Sequence, residues 1–209
     1  AGLMPTIQYV QGFRRCRAKI EESLSVQTTE PWIAVFKTEN IFGVRTLDEA
    51  FRLYKGAIEE ERENEEYLTD IEEYISEEYL ALRAWRGLVQ QVPGTLTGLG
   101  ILGTFIGLVL GIGSITFTTI ETALVSINQL IAGIEMAFFT SICGVILSII
   151  FNMVSQIVWN VMMREYGLFM DSYHKLVIPT VEVQRRKKSS ENMKSILERF
   201  LKAPYGFVE

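Results

Sequence analysis

Pro93-Gly-Thr-Leu-Thr-Gly-Leu-Gly-Ile-Leu-Gly-Thr-Phe-Ile-Gly-Leu-Val-Leu-Gly111 lies inside a longer run, Val92 to Ile120, that contains no Asp, Glu, Lys, Arg or His. About 20 apolar helical residues cross the hydrocarbon core of a bilayer, and this run exceeds that length. Its glycines leave little side chain between its own backbone and a neighbour's. The stretch therefore reads as a membrane span built for close packing. A second charge-free run, Met136 to Met163, is also long enough to cross. Two crossings are the minimum.

Composition alone conceals this. The 209 residues are 48% hydrophobic and 22% charged, averages close to those of a soluble protein. With two long runs free of charge, the rest of the chain is unusually ionic. Glu59 to Glu78 holds eleven carboxylates and one arginine, whereas Arg185-Arg-Lys-Lys188 is purely basic, within a net charge of -5. A short basic run beside a span points to anionic headgroups or to topology, so direct nucleic-acid binding is not expected. Cys16 and Cys143 can form neither a disulfide framework nor a thiolate metal site, and the lone His174 lacks a partner ligand, which makes it an interfacial or solvated histidine. No metal or cofactor is expected.

Arg83 and Arg86 precede the first span, and Arg164, Lys175 and the 185–188 cluster follow the second, while the connection between them has no Lys or Arg. Both ends of the hairpin are therefore expected on the cytoplasmic side. Residues 92–113 form the first transmembrane helix, 114–129 an outward-facing loop or short helix, and 130–178 a second transmembrane helix extending into the cytoplasm. Trp159 and Tyr166 suit the interface on that second helix. Residues 1–20, where Ala1-Gly-Leu-Met-Pro5 leads into Arg14-Arg-Cys-Arg17 and Lys19, look like the cytoplasmic end of an upstream transmembrane helix; a processed N-terminus is the competing reading.

Residues 21–91 read as a cytoplasmic helical scaffold. Thr46-Leu-Asp-Glu49 fits a capping box, and Leu47, Ala50, Phe51, Tyr54 and Ile58 then recur on one helix face. Leu68, Ile71, Ile75 and Leu82 continue a stripe beneath the acidic run, whose carboxylates form a solvated face or, alternatively, a surface for a basic partner or for cations. Pro31-Trp-Ile-Ala-Val-Phe36 fits a strand or a helix. Residues 179–209 combine the basic cluster with an amphipathic set, Met193, Ile196, Leu197, Phe200 and Leu201, at the start of a tail. At Pro93, where charge stops, a helix is expected to break, kink or restart.

Inside the spans the polar residues are ordered. Gly103, Gly107 and Gly111 lie four apart on one face, extended by Gly100 and Thr104. Thr140, Gly144, Ser148 and Asn152 recur every four residues on the second span, and Ser141, Ser148 and Ser155 every seven. A sustained row of hydroxyls reads as helix contact or as the wall of a wet cavity. Glu135 at the outer end is either an interfacial anchor or part of a conduction path. With no nucleophile beside a base, no paired carboxylates and no phosphate-binding glycine loop, an enzyme is not expected.

Gly98-Leu-Gly-Ile-Leu-Gly-Thr-Phe-Ile-Gly-Leu108 and Glu135-Met-Ala-Phe-Phe-Thr-Ser-Ile-Cys-Gly144 together resemble the paired core motifs of the MotA/TolQ/ExbB proton-channel family, from about Pro93 to Asn152. Within the family the pattern is most similar to the ZorA-type subunits of Zorya anti-phage systems. The resemblance implies an all-α, multi-pass helical membrane protein of the bacterial inner membrane, with long helices extending into a cytoplasmic scaffold and five copies in a ring. It also implies a single-span partner of the MotB/ExbD/ZorB type, whose intramembrane aspartate binds the ion. Thr104 and Thr140, with Thr97, Ser141 and Glu135, would form the pathway for H+ or Na+. Gly100, Gly103, Gly107, Gly111 and Gly144 would serve helix packing. A non-conducting oligomeric scaffold that recruits cytoplasmic partners is the alternative function.

Overall fold

In a computed structural model, the described residues are 3–25, 35–63, 68–113, 115 and 119–202. All regular structure among them is helical. The elements are α1 (Leu3–Ser25), α2 (Arg45–Glu63), a 3-10 turn (Ile71–Glu73), α3 (Glu77–Arg83), α4 (Arg86–Gly113), α5 (Ile120–Leu176) and α6 (Val181–Lys202). Two compact units emerge, one of residues 1–6 and 81–161, the other of residues 7–80 and 162–209.

The second unit has a solid aromatic core. From α1 come Tyr9, Phe13, Cys16 and Ile20, spaced four, three and four, and from α2 the expected face of Leu47, Ala50, Phe51, Tyr54 and Ile58; all are buried. The part of α5 in this unit adds Tyr166, Phe169 and Tyr173. Phe13 stacks on Phe169 at 5.4 Å between centroids, and Phe42 meets Phe169 edge-on at 5.4 Å. The phenols entering this core keep hydrogen bonds, as buried hydroxyls must: Tyr166 donates to the Ile75 carbonyl at 2.8 Å and Tyr173 to the Tyr54 oxygen at 3.2 Å. Burial pushes both tyrosines, and the Cys16 thiol, up from their ordinary values, so Cys16 is an inert packing residue.

One carboxylate is tied into this unit by arginines. Glu165 is buried and accepts from Arg14 at 2.8 Å and from Arg17 at 3.4 Å. The Arg14 hydrogen bond, opposed by burial and helped by the charges of Arg14, Arg17 and Arg164, holds its carboxyl below the usual value of 4.5.

Several expectations change here. A helix does start near Thr46, but at Arg45, which makes Thr46 its second residue; Thr46 donates to the Tyr9 hydroxyl, Glu49 pairs with Arg45 along the helix, and Asp48 reaches back to the Phe42 amide at 2.9 Å. Asp48 thus ties the preceding loop back onto the first turn without capping the helix, whose first backbone bond runs from the Asp48 amide to the Val44 carbonyl. The stripe to Leu82 is interrupted by the 3-10 turn and a bend, so Ile71, Ile75 and Leu80 are buried and Leu82 is 78% exposed. His174 is half-buried and partnered rather than free in solvent: it lies 2.8 Å from Asp70, with its side chain 22% exposed. Tyr166 is a core residue rather than an interfacial one.

The last helices carry a clamp. α5 ends at Leu176 ahead of Pro179, and the Gln184 amide of α6 pairs with both the N–H and the carbonyl of Leu68 at 3.0 Å. Residues 35–37 are helical, but the rest of Pro31–Phe36 lies outside the described residues, as do residues 64–67 of the acidic run. Met193 is exposed; the side chains of Ile196, Leu197, Phe200 and Leu201 also lie outside them.

Replacing Phe169 by Ala removes the ring at the centre of this core and should cost about 3–5 kcal/mol, read as a loss of denaturant stability. Glu165→Gln tests the pH dependence. Because the folded-state value of Glu165 is depressed, its stabilisation is fully present above the ordinary 4.5 and disappears as pH falls through the lower folded value. Wild type should therefore melt higher than Glu165→Gln at neutral pH, and the gap should close on acidification below 4.5.

Candidate functional site

The site is built on α4 and the part of α5 up to Val161, within the first unit. α4 runs continuously through Pro93, so of the expected break, kink or restart the helix neither breaks nor restarts there. Proline removes one internal hydrogen bond, leaving the Val89 carbonyl without its usual donor. The Pro93 carbonyl in turn accepts two hydroxyls, from Thr97 at 3.1 Å and from Ser148 of α5 at 2.8 Å.

Ser148 marks a contact that is antiparallel and almost without side chains. A Cβ placed on Gly144 would stand 2.7 Å from the Gly100 Cα and 2.9 Å from the Leu96 carbonyl oxygen, closer than any real methyl can sit. Gly103 faces Thr140, Gly107 faces Ala137 and Gly133, and Gly111 faces Gly133. Successive residues of α4 thus meet successively earlier residues of α5. Gly133 is a contact residue missing from the expected set. Its signal is the spacing of small residues Gly133, Ala137, Thr140, Gly144 and Ser148, which keeps one face of α5 narrow.

The hydroxyls share one property. Thr104 donates to the Ile101 carbonyl at 2.6 Å, Thr140 to Ala137 at 2.8 Å, Thr97 to Pro93 and Ser155 to Asn152 at 2.9 Å. A backbone carbonyl can only accept, so each hydroxyl proton is spent on the helix and the oxygen offers lone pairs outward. Such oxygens can receive a cation. Thr104 and Thr140 do not bond to each other; Thr140 lies against Gly103, one residue from Thr104, and both threonines are half-buried. Ser141 is half-buried, with its backbone carbonyl at the Gly100 contact, and Glu135 is exposed.

α5 begins at Ile120, ten residues ahead of the expected boundary at 130. The reason is local. The Thr119 amide donates to the Thr122 hydroxyl at 2.8 Å while the Thr122 amide donates back to Thr119 at 3.3 Å, a reciprocal cap that starts the helix before the apolar run. At 57 residues α5 is roughly 85 Å long, well beyond a hydrocarbon core of about 30 Å.

Away from this contact the apolar side chains face outward. Phe105, Ile106, Phe138 and Phe139 are each more than half exposed, and only 11% and 6% of the most apolar windows of the two long helices are buried within the chain. Such surfaces are stable against lipid or against other chains. Among the described residues, no group of three or more His, Cys, Asp or Glu comes together as a metal site would require.

Residues 42–169, more than half of the chain and including both charge-free runs, match the family described as the MotA/TolQ/ExbB proton channel family. The chain belongs to that family. It is a helical membrane protein of this group. It is also similar to Zorya protein ZorA of Escherichia coli, being 41% identical over 63 residues, which cover 30% of this chain and 11% of that protein. The match thus spans only about a ninth of that relative's length.

The contact makes a sharp comparison possible between two glycines of the spans. Gly144→Ala forces backbones apart and should cost about 1–3 kcal/mol, whereas Gly98→Ala, with open space where its methyl would go, should leave the isolated subunit's melting temperature unchanged or slightly raised. Thermal unfolding of both variants in detergent measures the difference.

Proposed function

We propose that this chain is the stator subunit of an ion-driven motor, in which H+ or Na+ crossing the bacterial inner membrane turns one component against another. Family membership supports the class. The row of hydroxyls whose protons are committed to backbone carbonyls is the observation that carries the mechanism. It presents neutral acceptors to a cation and lowers the cost of partial dehydration in a constriction. Thr104 and Thr140 are the central members and Thr97 flanks them, with Ser141 next to Thr140 as a further hydroxyl of the pathway.

Neutral oxygens alone do not hold a proton. The carboxylate that binds the ion belongs, in this reading, to a single-span partner whose paired helices stand inside a homopentamer of this chain. Glu135, at the outer end, draws cations toward the entrance. The outward apolar faces of both spans support burial against lipid and sister subunits. Residues 21–91 and the tail are placed in the cytoplasm, where the scaffold transmits force. Similarity to ZorA favours a role in anti-phage defence, and the chemistry is transport without catalysis.

One observation favours a second reading. Thr140 is packed on Gly103, as it would be in a non-conducting scaffold where the small residues serve oligomerisation alone. Proton and sodium flux separates the two. In proteoliposomes containing the full complex with its partner, Thr104→Val and Thr140→Val keep the shape but remove the lone pairs, and each should reduce flux at least about tenfold, equivalent to about 1.4 kcal/mol on the barrier, with the ring intact. Wild-type flux in both variants would establish the scaffold instead.

A further inference from the structure

Between the end of α3 at Arg83 and the start of α4 at Arg86, within the first unit, the chain passes through Ala84 and Trp85. Trp85 has φ 55°, in the left-handed region. That conformation crowds the β-carbon of an L-residue against the backbone, so it normally falls to glycine, and for a bulky side chain it is an outlier. Two hydrogen bonds define the geometry: the Trp85 amide donates to the Leu82 carbonyl at 3.2 Å, and the Trp85 carbonyl accepts from the Val89 amide at 3.0 Å. One residue thus closes the turn behind it and opens the apolar helix ahead.

Backbone strain persists where the surroundings over-determine it. The chain itself supplies little of that here. Trp85 is 63% exposed, Leu82 78% and Leu88 55%, so three large apolar side chains of the corner face outward. The cations that bound the corner are already engaged: Arg86 lies over the Trp159 ring at 4.0 Å from the centroid, and Arg83 and Arg86 each hold a further interaction inside the chain. What the corner offers to its surroundings is therefore hydrocarbon and an indole ring.

Length sets the level of the corner. The 28 residues of α4 extend roughly 42 Å, against a hydrocarbon core of about 30 Å and a bilayer of about 40–45 Å with both headgroup regions. A helix of that length that crosses the core brings both its ends among the headgroups. After Arg86 the next ionisable residue is Glu121, so nothing in the sequence delays entry into hydrocarbon beyond the first turn of α4. The exposed apolar surface of the corner is continued along the same helix by Leu99, Leu102 and Phe105, each about half exposed or more. Indole suits this level, because its body is apolar and its N–H can donate to headgroup oxygens or water. Solvent would leave the three side chains hydrated beside a bilayer that begins one or two turns away, and the lipid surface is the partner already present there.

We propose that the corner of Leu82, Trp85 and Leu88 is a membrane-interface anchor, its indole and two leucines seated among the headgroups and upper acyl carbons of the leaflet on the arginine-flanked side. This contact offsets the left-handed backbone at Trp85. It also sets how deep α4 enters the bilayer, and with it the level of Pro93 and of the hydroxyls beyond. The anchor requires that α4 cross a bilayer and requires nothing of ion conduction, so flux measurements and anchor measurements fail independently.

The test uses the full-length protein in phosphatidylcholine and phosphatidylglycerol bilayers, with Trp32 and Trp159 replaced by Phe so that Trp85 alone fluoresces. Lipids brominated near the glycerol should quench Trp85 at least about twofold more strongly than lipids brominated near the chain ends, and aqueous iodide should quench it weakly. Strong quenching by iodide with none by either lipid would overturn the anchor in favour of a solvated corner. Protection from all three quenchers would overturn it in favour of a covering protein chain, and stronger quenching from the chain ends would overturn the assigned level. Should the single-tryptophan protein fail to fold, a spin label on Leu82→Cys, with Cys143→Ala and the native tryptophans kept, decides: greater access to oxygen than to a water-soluble nickel chelate upholds the anchor, and the reverse order or exclusion of both rejects it.

Discussion

The close approach of two backbones at Gly100 and Gly144 is the constraint from which the rest of the membrane-spanning pair follows. Lipid tails are as apolar as leucine, so burying leucines between helices gains little inside a bilayer. Association has to come from dispersion contacts and hydrogen bonds, both of which require backbones to come near. Gly133, Ala137 and Gly144 on one helix and Gly100, Gly107 and Gly111 on the other remove the obstacles. With the register so determined, Ser148 reaches the Pro93 carbonyl, and Thr140 settles on Gly103 beside Thr104.

The second unit solves the opposite problem. It buries large side chains against one another, through Phe13, Phe42, Phe51 and Phe169, whose rings meet within 6 Å. Its polar groups are paired instead of excluded: Tyr166 with Ile75, Tyr173 with Tyr54, Glu165 with Arg14 and Arg17. The clamp of the Gln184 side chain on Leu68 takes up main-chain atoms of Leu68, so it holds a residue within the acidic run without depending on that residue's side chain.

Much of this was legible in the residues, for identifiable reasons. Charge-free runs longer than a bilayer has no need of context to be read, and a face such as Leu47, Ala50, Phe51, Tyr54 and Ile58 reports burial through helical period alone. What escaped depended on partners distant in the chain. Thr46 satisfies the pattern of a cap, yet it lies inside the helix, where Tyr9 offers its hydroxyl another bond and Asp48 reaches back to the loop at Phe42. Pro93 looks like a breaker, but the helix tolerates one missing bond in its second turn. Tyr166 looks interfacial until the aromatic core around it is assembled. Leu82 follows a helical stripe that the 3-10 turn interrupts. The start of α5 is different: the Thr119–Thr122 pair is a purely local cap, lying ahead of the apolar run that follows.

The same contact that packs the helices also constrains the chemistry proposed for them. A hydroxyl facing lipid with its proton unspent would carry an unmet donor, and the back-bonds of Thr97, Thr104 and Thr140 remove that cost. They also remove any ambiguity in polarity, because an oxygen that has donated can only accept. A row of such oxygens favours cations over anions without fixing a charge in the bilayer, which would cost several kcal/mol wherever it was not compensated. It is also too weak to trap a cation alone. The proposed conduction path therefore needs a carboxylate brought by another chain, and in the proposed motor separating that charge from the acceptors across a moving interface would couple ion passage to rotation.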